Sequence, residues 1–185
     1  MGATSDDNIQ WDEHWTEHKE DSDFSDVNAF DYFKDYLPKD FRVLDVGCGS
    51  CKFYPLFKLL GCNEYVGVDF SPTAINLARQ KFPELKILLM RVEEIDFNAY
   101  FDLAFSNTFL QHTKIDTKKK IIPKLWKALK KDGILVIQEK CDVTTDTTFT
   151  KQGWIDFICG YGFGFLKATE ENDPRNGFIF KVVKS

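Results

Sequence analysis

The chain has 185 residues, 43% of them hydrophobic and 15% aromatic, which suffices for one domain with a full core and excludes a disordered chain. A formal net charge of -5 argues against strong general affinity for a nucleic-acid backbone. No apolar run approaches membrane-spanning length and no charged-then-apolar leader opens the chain. The odd count of five cysteines reads as reduced thiols, so a cytoplasmic protein with no membrane partner is expected.

The first ten residues are polar and expected to fray. In WDEHWTEHKE (11–20), Trp11 and Trp15 stand four apart, on one face of a helix. DVNAFDYFKDYL (26–37) carries a helical stripe of Val27, Phe30, Phe33 and Leu37, closed by Pro38. A regular alternation follows: strand 42–46, helix 53–61, strand 64–69, helix 71–82, strand 86–90, strand 101–106, helix 118–129 and strand 133–139. Ser71 and Pro72 are an N-cap and first-turn pair, and Gly61 closes its helix. After a helix over 151–162, the runs 163–169 and 177–184 leave no room for a crossover helix and predict an antiparallel pair. The expected fold is α/β: a three-layer sandwich of a mostly parallel seven-stranded sheet, helices on both faces, and an antiparallel C-terminal strand. Residues 1–185 read as one domain, with 1–40 an N-terminal helical lid segment and 41–185 the core.

In such sheets ligands bind beyond the carboxyl ends of the strands, where strand order reverses. Here VLDVGCGSCKF (43–53) puts Asp45, Gly47 and Gly49 at the first such end, and Asp69 closes the second strand. Glycines permit a tight turn and close approach of a ligand. A carboxylate at the second strand end suits the vicinal hydroxyls of a ribose. Lys52 stands where a dinucleotide fingerprint has its third glycine, and no phosphate-loop motif is present. Asp45 is unfavourable beside a pyrophosphate and favourable beside an amino group or a sulfonium.

VLDVGCGSC, VGVDFSPTAINLA, FDLAFSNTFLQH (101–112) and LKKDGILVIQE (129–139) resemble, in order, four motifs of class I S-adenosylmethionine-dependent methyltransferases. The resemblance covers roughly residues 30–185. It implies a Rossmann-like fold and S-adenosyl-L-methionine as cofactor, with S-adenosyl-L-homocysteine as product. The backbone around Gly47, Cys48 and Gly49 would hold the amino-acid tail, with Asp45 near it. Asp69 would hold the ribose, Phe70 would lie on the adenine, and the backbone of Val92 and Glu93 would meet the adenine edge. Asn107 would place a carbonyl near the methionine amine, and Trp15 could close over the cofactor from the N-terminal helix. Two positions depart from the family pattern. Cys51 stands where a third glycine is usual, and Met90, Arg91 and Val92 replace the acidic residue that often meets adenine.

Other residues have plainer readings. Cys48 and Cys51 form a CxxC without a second ligand pair at metal spacing, so no metal is expected. His14 and His18 read as a solvated helix face, and Lys118, Lys119 and Lys120 as a solvated helix start on the rim of the site. His112, after the fourth strand, is the candidate general base; the alternative is a polar loop residue. The expected activity is methyl transfer to a small-molecule acceptor by direct displacement. The alternatives are a protein-lysine methyltransferase, a non-catalytic cofactor-binding subunit, or a nucleotide-binding oxidoreductase, against which Lys52 and the terminal hairpin speak.

Overall fold

Seven strands form one sheet in the order β3-β2-β1-β4-β5-β7-β6. The computed structural model describes residues 13–17, 30–141, 144–170 and 176–184. The polar first ten residues, Trp11, His18 and Val27 lie outside the described residues. In chain order the elements are α1 (13–17), β1 (Arg42–Val46), α2 (Tyr54–Leu59), β2 (Glu64–Asp69), α3 (Pro72–Lys81) and β3 (Lys86–Leu89). Then come β4 (Phe101–Asn107), α4 (Ile115–Ala128), β5 (Leu129–Gln138), α5 (Lys151–Cys159), β6 (Phe163–Ala168) and β7 (Gly177–Val182). β1 pairs in parallel with both β2 and β4, so strand order reverses at β1. β7 runs antiparallel to β5 and β6, as the short connection required.

The pleat splits the core in two. Leu44, Val46, Val66, Val68, Ala104, Leu135 and Ile137 face α4 and α5, through Ile121, Ile122, Leu125, Trp154 and Ile158. Val43, Tyr65, Leu103, Phe105, Ile134 and Val136 face α2 and α3, through Leu56, Phe57, Ile75 and Ala78. These central strands are buried on both sides, which is why they read as continuous apolar runs. Ser71 caps α3 by accepting from the Ala74 amide at 3.1 Å, and Gly61 after α2 has φ +95°.

Some elements differ from expectation. No α-helix covers residues 30–37: Phe33 and Tyr36 donate to the carbonyls three residues back, a 3-10 pattern. That spacing puts Phe30 and Phe33 on one face. Both are buried against Phe57 and Phe105, with the Phe30 and Phe57 ring centroids 4.7 Å apart. This part of the N-terminal segment therefore packs on a sheet face and not on the rim. α4 begins at Ile115 and β5 at Leu129, because a bulge opposite Phe101 and Leu103, with Asp132 at φ 65°, lets strand follow helix directly. α5 ends at Cys159, three residues short of Gly162.

Candidate cofactor site

The loop after β1 is built by its own amides. Gly47 and Cys48 donate to the Val68 carbonyl at 2.8 and 3.1 Å, and Gly49 donates to Asp69 Oδ2 at 3.0 Å. The other Asp69 oxygen accepts from the Ser71 amide at 2.9 Å. These three amides therefore point into the protein. Such a loop offers no nest of N–H groups to a phosphate, unlike a phosphate loop. Of the loop carbonyls, that of Cys48 accepts from the Cys51 amide at 2.9 Å, and the Asp45 carboxylate lines the cleft, which suits positive charge.

Three positive-φ residues shape this loop: Gly47 (φ 68°), Gly49 (φ 52°) and Cys51 (φ 60°). A Cβ on Gly47 would stand 2.4 Å from the Phe109 ring, and one on Gly49 would stand 2.4 Å from the Trp15 indole. Cys51 occupies a left-handed conformation that glycine takes at no steric cost, which is the physical meaning of its departure from the family pattern. The Cys48 thiol donates to the Gly49 carbonyl at 3.8 Å, and its sulfur fills the space that a Cβ on Gly67 would need. Burial pushes its thiol well above the ordinary range. All five cysteines are free, and among the described residues no three His, Cys, Asp or Glu side chains are grouped as a metal would require.

Trp15, Asp45, Gly47, Cys48, Gly49 and Asn107 surround one cleft of about 350 Å³ that opens to solvent, together with Lys52, Phe53 and Thr108. Asp45 is 2% exposed and accepts from the Tyr65 hydroxyl at 2.5 Å. Burial pushes its carboxyl up to about 7, against the pull of Tyr65 and Lys52 and with the push of Asp69. Asp69 adjoins the cleft through Gly49. Phe70, Val92 and Glu93 do not line it. Arg91 lies over the Phe70 ring at 5.4 Å and within 3.9 Å of Glu93, while Val92 is buried.

Beyond β4, Asn107 is fixed through its amide nitrogen to Gln138 at 2.9 Å, and Thr108 turns the chain at φ 50°. His112 ends the 3-10 turn Leu110–His112, exposed and 3.1 Å from Gln111. Although the residue is exposed overall, desolvation of its ring, followed by the charges of His14 and Lys118, holds its pKa below the usual imidazole value.

Several contributors were not singled out in the sequence: Phe109, Thr108, Tyr65 and Glu139. Glu139 accepts from Ser106 Oγ at 2.8 Å, from the Leu110 amide at 3.1 Å and from the Gln111 amide at 3.0 Å, fastening the loop after β4 to the end of β5. Its place directly after the fifth strand was the available signal. Lys118 corrects the expectation of a solvated helix start. It is fully buried, donates to the carbonyls of Thr113 and Thr147, and lies over the rings of Phe149 and Trp154. Its helix begins at Ile115, so position 118 turns inward, and burial lowers the amine to about 8. Lys119 and Lys120 stay exposed.

Residues 44–137, half of the chain, match the family described as methyltransferase domain. The chain belongs to that family. Its sheet, with an antiparallel β7 between β5 and β6, is that of the class I S-adenosylmethionine-dependent members. Ribosomal protein L11 methyltransferase of Thermosipho africanus is 33% identical over 109 residues, 57% of this chain and 40% of that protein. Phosphoethanolamine N-methyltransferase of Plasmodium falciparum is 24% identical over 160 residues, 80% and 57% of the two chains. The chain thus spans about half the length of these curated relatives. Among solved structures, 1,6-didemethyltoxoflavin-N1-methyltransferase of Burkholderia thailandensis superposes with a TM-score of 0.72 at 18% identity, covering 100% of this chain and 92% of that one. At that identity the likeness is one of fold. No helix among the described residues is long and apolar enough to cross a membrane.

Proposed function

We propose that this chain is an S-adenosylmethionine-dependent methyltransferase of the cytoplasm that acts on a small-molecule acceptor. The observation that carries the cofactor reading is the inward use of the Gly47, Cys48 and Gly49 amides beside the buried Asp45. A pyrophosphate would meet carbonyls and a carboxylate there; an aminoacyl sulfonium would meet complementary charge. Asp45 and the carbonyls of the 47–49 loop would hold the ammonium. Asp69, tied to the cleft through the Gly49 amide, would hold the ribose hydroxyls. The Phe70 ring and the Val92–Glu93 backbone would meet adenine once Arg91 moves or stacks with it, and Asn107 would offer its backbone carbonyl. When bound, S-adenosylmethionine supplies a methyl group activated by positive sulfur.

The chain's own contribution is alignment and exclusion of water. Trp15 covers Gly49 at the cleft and narrows its mouth, which favours a small acceptor. His112, neutral at neutral pH, can take a proton from an acceptor that arrives protonated. The relative named for ribosomal protein L11 supports a second reading, a protein acceptor. The five free cysteines accord with a reducing compartment.

Thermal-shift titration with S-adenosylmethionine, S-adenosylhomocysteine and NAD tests the first step, and stabilisation by the first two alone is expected. Labelled methyl donor offered with small amines, quinols or ribosomal protein then sorts the acceptors. Stabilisation by NAD alone would overturn the reading.

A further inference from the structure

Asp45 is held by a residue from the neighbouring strand. In the parallel register of β1 and β2, Asp45 stands opposite Gly67, and Tyr65 lies two residues earlier on the same face. The Tyr65 ring passes the bare Gly67 to reach Asp45 Oδ2 at 2.5 Å. A Cβ on Gly67 would come within 3.3 Å of Tyr65 Cε1 and 2.8 Å of Cys48 Sγ. The missing side chain at position 67 is thus the gap through which the phenol reaches the carboxylate. Around the ring, Tyr54 and Phe57 pack at centroid distances of 5.3 and 6.1 Å.

Resting on the cofactor reading above, we propose that Tyr65 is a positioning residue for the cofactor: its phenol fixes the Asp45 carboxylate toward the cleft, where the ligand's ammonium would meet it. The bond occupies Oδ2, and no other side-chain hydrogen bond to Asp45 occurs among the described residues, so Oδ1 remains for the ligand. Burial and the nearby Asp45 push the phenol well above its ordinary range, which keeps it a donor. The charged and titratable groups around Asp45 are Tyr65 and Asp69 from β2, and Lys52, Cys48 and Cys51 from the loop. Burial alone would leave the carboxyl neutral over much of the physiological range, and Tyr65 and Lys52 oppose that.

The consequence is a pH-dependent affinity. An ammonium ligand binds the ionised form, so affinity falls toward tenfold per pH unit below the carboxyl's titration point. Removing a charge-assisted donor raises that point. Calorimetry with S-adenosylhomocysteine from pH 5.5 to 8.5 should give a break near pH 7 for the natural chain. For Tyr65→Phe the break should move up by about one unit, with roughly fivefold weaker binding at pH 7, about tenfold at pH 5.5 and convergence at pH 8.5. Gly67→Ala, which blocks the phenol's path, should shift the break in the same direction. Asp45→Asn should bind weakly with no break. A purely structural role for Tyr65 would weaken binding equally at every pH. That result, or a break unmoved in both variants, overturns the proposal. Failure of the natural chain to bind S-adenosylhomocysteine at any pH would instead overturn the cofactor reading beneath it.

Discussion

The Gly49 amide meets the Asp69 carboxylate at 3.0 Å, tying the loop after β1 to the end of β2. The same carboxylate holds the Ser71 amide at the start of α3. One side chain thus sets the position of the glycine loop and of the helix after β2. Asp69→Ala should therefore act twice. Loss of the ribose partner should weaken S-adenosylhomocysteine binding by ten- to a hundredfold. The two deprived amides should lower stability by about 1–3 kcal/mol while unfolding stays cooperative. Calorimetry and urea denaturation measure the two effects, and full stability with full affinity would remove Asp69 from both roles.

Trp15 and Gly49 form the second joint. Because a Cβ at Gly49 would enter the indole, and because φ is 52° there, Gly49→Ala should both strain the loop and displace Trp15. The backbone cost alone is about 1–2 kcal/mol. Trp15→Ala keeps the loop but opens the cleft. It should weaken cofactor binding several-fold and slow methyl transfer by admitting water. Tryptophan emission provides the check: the change on adding S-adenosylhomocysteine should shrink markedly in Trp15→Phe. Trp154 is buried against Phe149 and Trp126 is bonded to Gly162, and neither lines the cleft. An unaltered signal in Trp15→Phe would show that closure comes from elsewhere.

The strands were legible because burial on both faces writes unbroken apolar runs, and β1 and β2 match their expected limits residue for residue. The turn at Gly47 and Gly49 was legible because only positive φ explains glycines at a strand end. The use to which the loop's amides are put was hidden, since nothing local tells whether an N–H points at a ligand or at the Val68 carbonyl. Lys118 was misread because its surroundings, Phe149 and Trp154, lie far along the chain, while its sequence neighbours are lysines. Tyr65 was hidden for a related reason: its partner is on another strand, and the signal is an absent side chain at Gly67. The 3-10 turn at Phe30–Tyr36 was missed because a 3.6-residue stripe and a three-residue repeat coincide over so few residues.

The CxxC pair should prove neither metal-binding nor redox-active. Cys48 is buried and its thiol is pushed far above the ordinary range, so alkylation in the folded state should be slow and should become fast on unfolding. The double substitution Cys48→Ala, Cys51→Gly should keep S-adenosylhomocysteine affinity within roughly tenfold, about 1.4 kcal/mol. Glycine relieves the left-handed strain at position 51, against the loss of a packed sulfur. Elemental analysis should find no stoichiometric zinc in the natural chain. Zinc that disappears with the double substitution would contradict this.

Glu139 gives the chain a pH dependence whose sign can be worked out. It is 1% exposed, and burial pushes its carboxyl from 4.5 to about 7, although the Gln111 amide, the Ser106 hydroxyl and the Leu110 and Phe109 amides pull the other way. Between those values the folded chain holds a proton that the unfolded chain has released, so stability falls as pH rises from about 4.5 through 7. The shift corresponds to about 3 kcal/mol across the window. Glu139→Gln cannot titrate, and it keeps one oxygen to accept from the loop after β4. Its stability should therefore vary less over that window, and the difference between natural chain and variant should favour the natural chain at pH 4.5 and narrow or reverse by pH 7.5. Asp45 is also pushed up to about 7, but it is present in both proteins and cancels in the difference. Urea midpoints at pH 4.5, 6 and 7.5 measure it. Parallel curves for the two proteins would mean that the four donors outweigh burial and that Glu139 is ionised throughout. The fastening of Leu110 and Gln111 would then be a fixed ionic anchor, insensitive to pH.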